Sequence, residues 1–233
     1  MVVLLETTPK QTGASKQLSA GIQPKPGRGG RPSKAAAAQL RDRILDVATA
    51  RFLANGYGAT SIEAIAKATR MSKRTFYHRF RDKAALFEAV VRRLVDEWLP
   101  TFEAPLRDAA PIDAVLRRSA GEMLAVAMSP KAMALSRLMR AEAHQFPQLA
   151  HTVHEYGFLR GVERIADLLT RAAEAGHIAR IDTSFAAEQF FHMILAGPPS
   201  LANGLGRPPT EDEINRWVDQ TVDLFLNGCL KPR

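Results

Sequence analysis

The chain holds a single cysteine, Cys229, in 233 residues, and no apolar run in it approaches the roughly 20 residues that a membrane-spanning helix requires. One thiol cannot build an internal disulfide framework or a cysteine-rich zinc site. The apolar stretch Val2–Leu5 ends at Glu6 and has no basic segment before it, so we expect no signal peptide. These absences predict a cytoplasmic protein with no membrane partner, no metal and no cofactor.

The motifs that carry enzymatic chemistry are also missing. The sequence has no glycine-rich phosphate loop, no nucleophile elbow and no tetrad of metal ligands. His151 and His154 lie three residues apart, but no carboxylate or further histidine at a familiar spacing completes a metal site. The pair suits hydrogen bonding to a ligand or ordinary surface and core positions, and the roles of Glu142 and His144 stay open. We expect a protein that is not an enzyme.

Positive charge is concentrated towards the start of the chain. Residues 1–83 hold 16 Lys and Arg against 5 Asp and Glu, whereas residues 84–233 hold 16 against 19. A polyanion would therefore bind the first part and not the second. This favours nucleic acid as the partner, with an anionic membrane surface as the alternative, although a charge run by itself is also compatible with a solvated face.

Residues 1–34 form a separate basic segment. They are rich in Pro, Gly, Ser, Thr, Gln and Lys and show no apolar period, which is typical of a disordered tail. Such a cationic arm reaches a minor groove when a helix reads the adjacent major groove. The alternative is a solvated leader that contacts nothing.

Every later segment with a readable apolar period predicts a helix, and no alternating strand pattern competes, so the fold class is all-α. Thr60 with Glu63, and Thr210 with Glu213, have the spacing of a capping box. Further helix starts are predicted at Ser72, Asp82, Ser129 and Asp182. The predicted helices cover about 40–54, 61–66, 73–80, 83–99, 112–127, 130–144, 147–175, 183–194 and 211–225, with a Gly- and Pro-rich loop at 197–209.

The most informative stretch is residues 60–87, which reads as two short helices joined by a tight turn and followed by the start of a third. Phe76 and Phe80 lie four residues apart, so they share a face of the second helix that packs against a core. The opposite face then carries Lys73, Arg74, Tyr77 and His78. A short helix with an apolar back and a cationic, aromatic front fits a DNA groove; the alternative is an ordinary helical domain with Phe76 and Tyr77 both in its core.

The side chains predicted to contact DNA fall into two groups. Lys73, Arg74 and Thr75 would read base edges, because Lys and Arg donate to guanine and Thr offers a methyl group or a hydroxyl. The second group would contact phosphates at helix starts and beside the reading helix. It comprises Thr60, Ser61, Tyr77, His78 and Lys83, and Ser72 at the start of the reading helix completes the DNA-binding set.

The segment Arg41–Trp98 resembles the DNA-binding domain of the TetR family of bacterial regulators. Its most specific element is Ser72–Phe80, SKRTFYHRF, followed by Asp82-Lys83 and Leu86-Phe87. Further matching positions are Ile44–Ala48, Phe52, Gly56-Tyr57, Thr60–Ile62 and Ile65-Ala66. The resemblance implies a homodimer, an N-terminal reader of palindromic operators and a larger C-terminal domain that senses a ligand.

Two positions depart from the family pattern. Arg70 stands in the turn where glycine is usual, and if this turn requires a positive φ, arginine costs about 1 kcal/mol relative to glycine. Ala84 follows Lys83 where the family tends to have an acidic residue. Both departures concern contacts around the turn and leave the expected fold unchanged.

The predicted domains are a disordered arm at 1–34, a helix-turn-helix domain at 38–98, and a helical ligand-binding and dimerisation domain at 99–230. Within the last domain, Arg140–Pro147 resembles AefR-like members of the family. Met and aromatic side chains adapt to varied ligands, so they are candidates to line an apolar pocket, although each is also a candidate core residue. The predicted ligand-binding residues are Met123, Phe146, His154, Phe158, Phe190 and Met193.

The last two predicted helices carry apolar faces larger than a terminal helix pair needs to cover its own domain. The resemblance implies that they form a four-helix bundle with a partner chain. The residues predicted to form it are Phe190, Ile194, Trp217, Val218 and Phe225. The alternative is that these side chains are buried within one subunit.

From these features we expect a ligand-responsive transcriptional regulator. It would be a repressor that binds a palindromic double-stranded DNA operator as a homodimer and is released by a small apolar or amphipathic effector. The alternative is a nucleoid-associated or structural DNA-binding protein with the same fold and no small-molecule switch.

Overall fold

A computed structural model describes residues 34–98 and 111–229. Residues 1–33 of the predicted arm and the segment that follows residue 98 lie outside the described residues. Within the described ranges every element is helical, which confirms the all-α class. The helices are α1 Lys34–Asn55, α2 Ile62–Ala68, α3 Lys73–Tyr77, α4 Lys83–Trp98, α5 Ile112–Ala127, α6 Pro130–Glu142, α7 Pro147–Val153, α8 Arg160–Glu174, α9 Thr183–Ala196, α10 Pro198–Ser200 and α11 Glu211–Cys229.

The described helices differ from the predicted pattern in several places. α1 begins at Lys34 rather than near 40, α3 ends at Tyr77 rather than near Phe80, and two segments are π-helical. The long helix expected at 147–175 is interrupted by a π-helical segment, His154–Leu159, which joins α7 to α8. The loop expected at 197–209 contains α10 and a second π-helical segment, Leu201–Leu205. A π-helical turn contains one more residue than an α-helical turn, and the spacing of apolar residues does not distinguish the two. The sequence therefore predicted neither π-helical segment. None of the described helices is both long and apolar enough to cross a membrane.

Most predicted caps are present, but the capping box at Thr60 is wrong. α2 begins after Ser61, whose Oγ accepts a hydrogen bond from the Ala64 N–H at 3.1 Å. The Thr60 hydroxyl instead donates to the carbonyl of Gly56 at 2.7 Å, because Thr60 is buried against the end of α1. Caps at Ser72, Asp82, Ser129 and Asp182 are confirmed.

The second capping box, Thr210 with Glu213, is confirmed. The N–H of Thr210 donates to Glu213 Oε2 at 2.9 Å, and the N–H of Glu213 donates to Thr210 Oγ1 at 3.3 Å. Arg207 also binds the Glu213 carboxylate, and this contact together with the box lowers the pKa of Glu213 to about 2. The start of α11 is therefore capped by residues that are close to it in the sequence.

The side chains pack into two apolar cores. The first core is formed by α1–α4 together with α6 and α7, and its buried members include Phe52, Phe76, Phe87, Leu135 and Leu149. The second is formed by α5, α8, α9 and α11, and includes Leu116, Leu124, Leu169, Phe190 and Ile194. Because α6 and α7 contribute to the first core, the helix-turn-helix region shares its interior with part of the predicted C-terminal domain.

The turn between α2 and α3 contains Arg70 at a φ of +55°, the left-handed conformation that favours glycine. The turn is closed by hydrogen bonds from the N–H of Arg70 to the Lys67 carbonyl at 3.2 Å and from the N–H of Met71 to the Ala66 carbonyl at 2.9 Å. Its geometry is therefore that of a tight helix end, and arginine adopts this left-handed conformation at a cost in conformational free energy.

Replacing Arg70 with glycine should raise the free energy of unfolding by about 0.5–1 kcal/mol. The gain is the left-handed strain of about 1–2 kcal/mol, reduced by the extra freedom of glycine in the unfolded chain. Urea denaturation measures it, and Arg70→Ala is the matched control because it removes the charge and keeps the strain. Equal stability of the glycine and alanine variants would contradict the prediction.

Candidate nucleic-acid interface and apolar cleft

The two faces of α3 separate as the sequence predicts. Phe76 and Phe80 are 0% and 3% exposed and belong to the first core. Tyr77 is 51% exposed and packs the edge of its ring against Phe76, with 5.5 Å between ring centroids. The alternative in which Tyr77 is a core aromatic is therefore wrong. Besides Tyr77, the exposed side chains of the α3 segment are Lys73, Arg74 and His78.

Lys73 and Arg74 differ in how freely they are presented. The Nζ of Lys73 forms an ion pair with Glu63 Oε1 of α2 at 2.6 Å, and both side chains are more than half exposed. The hydrogen bond between them lowers the pKa of Glu63 and raises that of Lys73. Any contact from Lys73 to a base must replace this pair, whereas Arg74 is exposed on the same helix.

The predicted hydroxyl contacts also divide. Ser61 and Ser72 are exposed caps, and the Oγ of Ser72 lies 2.9 Å from the hydroxyl of Thr75. Thr60 is 2% exposed and its hydroxyl is engaged by backbone carbonyls of α1 and the following loop. Thr60 therefore has a structural role here, because a buried hydroxyl cannot reach a phosphate without unfolding the turn.

Lys83, the first residue of α4, is engaged with the loop between α1 and α2. Its Nζ donates to the carbonyls of Tyr57, Gly58 and Thr60 at 2.9, 3.3 and 3.1 Å. It also lies 4.4 Å from the centroid of the Tyr57 ring. Burial lowers the pKa of Lys83, and the nearby Glu142 carboxylate partly opposes that shift. All three ammonium hydrogens therefore have acceptors within the protein.

An open cleft of about 350 Å³ lies between α6, α7, the π-helical segment His154–Leu159 and α9. Its lining residues are Met139, Ala150, Val153, His154, Phe158, Glu188 and His192. Of the predicted ligand-binding residues, His154 and Phe158 line this cleft. Sequence reasoning missed Glu188 and His192, although their spacing of four residues on one predicted helix placed them on a common face.

The other predicted ligand residues lie elsewhere. Met123 and Phe190 are buried in the second core and Met193 packs against it. Phe146 packs on Tyr57 next to the first core, with 5.0 Å between ring centroids. Met and Phe residues at helical spacing are equally compatible with a core and with a pocket. In this structure these four residues pack in or against the two cores.

Phe158, which lines the cleft, contacts three other rings. Its ring stacks on His154 at 5.2 Å, lies 5.0 Å from the His192 ring and meets Phe191 edge to face at 5.1 Å. Glu188 Oε1 lies 3.8 Å from Nε2 of His192. Among the described residues no group of three or more His, Cys, Asp and Glu is arranged to hold a metal ion. The cleft therefore combines flat apolar surfaces with imidazole and carboxylate groups at its edge.

The residues predicted to contact a partner chain are largely covered by their own chain. Phe190 and Ile194 are 0% exposed, and Val218 and Phe225 also belong to the second core. Trp217 is half-buried and its indole N–H donates to the carbonyl of Ile194 at 3.1 Å. The large apolar side chains that α9 and α11 expose are instead Phe185 and Leu224, at 60% and 66%.

Comparison with known proteins agrees with this arrangement. Residues 44–90 match the family described as bacterial regulatory proteins, tetR family, and residues 114–228 match the C-terminal domain of AefR-like transcriptional repressors. The transcriptional regulator RutR of Escherichia coli K12 is 35% identical over 86 residues, which cover 37% of this chain and 40% of RutR. These 86 residues span less than half the length of that curated relative.

Solved structures match over most of the chain. A TetR-family transcriptional regulator from Mesorhizobium loti is 31% identical, with a TM-score of 0.68, and the alignment covers 82% of this chain and 97% of that protein. The flavonoid-responsive regulator FrrA is 28% identical, with a TM-score of 0.75, over 84% of this chain and 100% of FrrA. The paired N-terminal and C-terminal matches, with this near-complete coverage, identify the chain as a member of the TetR family of bacterial transcriptional regulators.

Proposed function

We propose that this protein is a transcriptional repressor that reads a palindromic operator through α3 as a homodimer and leaves it when a small molecule fills the cleft around Phe158. The exposed cationic face of α3, opposite the buried Phe76 and Phe80, carries the proposal. It is the feature that major-groove recognition requires, since side chains must reach base edges from a rigidly held helix.

Within α3 we assign base reading to Arg74 first. Its guanidinium is exposed and suits a bidentate contact to guanine O6 and N7. Lys73 would join it after leaving Glu63, and Thr75 would contact a thymine methyl. Ser61, Ser72, Tyr77 and His78 remain proposed phosphate or positioning contacts, because Ser61 is exposed at the start of α2 and the other three are exposed on or beside α3.

Dimerisation is assigned to the exposed surfaces of α9 and α11. Phe185 and Leu224 are large apolar side chains that solvent contacts in the single chain, so their burial against a second copy would be favourable. Two-fold symmetry would then set the two α3 helices about one DNA turn, or a multiple of it, apart.

The effector proposal rests on the cleft and on one relative. FrrA is named as flavonoid-responsive, and the rings of His154, Phe158 and His192 offer flat surfaces to a planar aromatic molecule. Glu188 and the two imidazoles would bind its hydroxyl groups. Release by a factor of 100 requires the ligand to prefer the non-binding form by about 2.7 kcal/mol.

The π-helical segment links this cleft to α4. His154 and Phe158 line the cleft, whereas Tyr156 between them donates its hydroxyl to Glu88 Oε1 of α4 at 3.1 Å. The Arg92 guanidinium of α4 lies 3.9 Å from the centroid of the Tyr156 ring. An occupant of the cleft would therefore act on α4 through this segment. The alternative, a nucleoid-associated or structural DNA-binding protein without a small-molecule switch, does not require such a cleft.

Arg74→Ala should cost about 1–3 kcal/mol on the preferred duplex and relax base preference at one position of each half-site, because a specific donor pair is lost. The preferred duplex is the sequence that the wild-type chain selects from a random library. Binding is then measured on this duplex and its single-base variants at one salt concentration. Arg171→Ala, which removes an exposed arginine of α8, is the control. Equal weakening on every sequence would reject base reading by Arg74.

The double variant Phe185→Asp, Leu224→Asp should convert the dimer to a monomer. Operator binding should weaken roughly tenfold or more, because the two reading helices no longer bind both half-sites as one linked unit. Sedimentation reports the assembly state, and far-UV circular dichroism checks that the exposed substitutions leave the helices intact. Leu201→Asp, also at an exposed apolar position, is the control. A double variant that still sediments as a dimer would refute this interface.

Ala150→Trp should fill part of the cleft and abolish any further release by a planar aromatic effector, because Ala150 lines the cleft and the indole would take the effector's place. Release from the selected duplex is titrated with a panel of flavonoids and other planar phenols. Ala175→Trp, at the exposed end of α8, is the control. If a compound releases wild type and Ala150→Trp equally, the effector site lies elsewhere.

A further inference from the structure

Glu142, the last residue of α6, holds the backbone of the loop between α1 and α2. The N–H of Tyr57 donates to Glu142 Oε1 at 3.0 Å, and the N–H of Gly58 donates to Oε2 at 2.6 Å. Both carboxylate oxygens are thus committed to two consecutive backbone groups, 85 and 84 residues away in the chain. Hydrogen bonds to an ionised acceptor are about twice as strong as neutral ones.

The same loop is held from its other side by Lys83. Its ammonium group accepts no bond and donates to the carbonyls of Tyr57, Gly58 and Thr60. The backbone N–H groups of Tyr57 and Gly58 therefore face an anion from α6, and their carbonyls face a cation from α4. We call Glu142, Lys83 and residues 56–60 the loop clamp.

The loop is shaped to admit the carboxylate. Gly56 has a φ of +88°, and a Cβ at this position would overlap Oε1 of Glu142. A Cβ at Gly58 would lie 3.3 Å from Oε2, closer than an ordinary contact. Tyr57 packs edge to face on Phe146, which follows α6. Two glycines and one aromatic contact thus fit this loop to the end of α6.

The clamp connects the two proposed sites. Residues 56–60 lead directly into Ser61, the cap of α2, so their position sets where α2 and α3 begin. Met139, which lines the cleft, lies three residues before Glu142 on α6, about one turn away. We propose that Glu142 is a positioning residue for DNA reading, which fixes the helix-turn-helix unit on α6 through the loop clamp. This inference rests on the proposed function, since it concerns how α3 is held for the operator.

Glu142→Gln in the full chain tests the clamp without DNA. It should raise the hydrogen-exchange rates of the Tyr57 and Gly58 amides roughly tenfold, because a charge-assisted acceptor is replaced by a neutral one. Glu174→Gln, which neutralises an exposed glutamate of α8, should leave both rates unchanged. Unchanged exchange in Glu142→Gln would overturn the clamp itself.

Binding to DNA then separates positioning from charge. Glu142→Gln removes a negative charge and Lys83→Met a positive one, so simple electrostatics would change DNA affinity in opposite directions on all sequences. The clamp instead predicts that both variants lower the preference for the selected duplex over a scrambled duplex, by roughly tenfold, at constant salt. An unchanged preference in both variants would refute the positioning role.

Operator reading and the loop clamp are tested by separate measurements. If the wild-type chain selects no sequence from a random library, operator reading fails, whereas the exchange rates still decide whether the clamp exists. If Lys83→Met weakens all duplexes equally and lowers the salt slope by about one unit, Lys83 is a phosphate contact and the clamp lacks its cationic half. Far-UV circular dichroism of each variant confirms folding before either measurement.

Discussion

The presentation of α3 depends on the burial of two phenylalanine rings. α3 has five residues, and an isolated helix of that length is unstable in water because its first turn costs more order than its few hydrogen bonds return. Phe76 and Phe80 supply the missing free energy, since a buried Phe side chain contributes about 1.5–3 kcal/mol. The exposure of Arg74 and Tyr77 follows from that burial, because α3 and the turn that carries Phe80 cannot rotate without losing both rings from the core.

The same core extends beyond the helix-turn-helix unit and joins it to α6 and α7. Leu135, Leu138 and Leu149 lie with Phe76 and Phe87 in one apolar cluster. Packed interiors resist small displacements, so a shift of α6 or α7 reaches the reading unit as a change of position. The cleft lies along these helices. Glu142 at the end of α6 contacts residues 56–60, and Tyr156, which follows α7, contacts α4. The α6–α7 side of the cleft and the helix-turn-helix unit are thereby parts of one packed body.

Family membership and the residue-level assignments rest on different evidence. The fold and the family are supported along most of the chain by relatives of 28% and 31% identity. The cleft and the exposed faces of α9 and α11 depend on side chains that such identity does not carry over. The second core shows why: α9 and α11 use Phe190, Ile194 and Phe225 to cover their own subunit. What these helices offer a partner is therefore limited to the side chains that this core leaves out.

Local signals in the sequence determined the helices, the caps at Ser72 and Asp82 and the two faces of α3, because each depends on residues within about four positions of one another. Thr60, the ends of the π-helical segments and the cleft were beyond such signals. An apolar period predicts that one face of a helix will be buried, but it does not identify the surface that buries it. Phe190 was therefore compatible with a partner interface, a ligand pocket or the core of its own chain. Only the tertiary structure decided among them. It also assigned Glu142, whose partners lie 84 and 85 residues away, because long-range packing alone brings α6 against that loop.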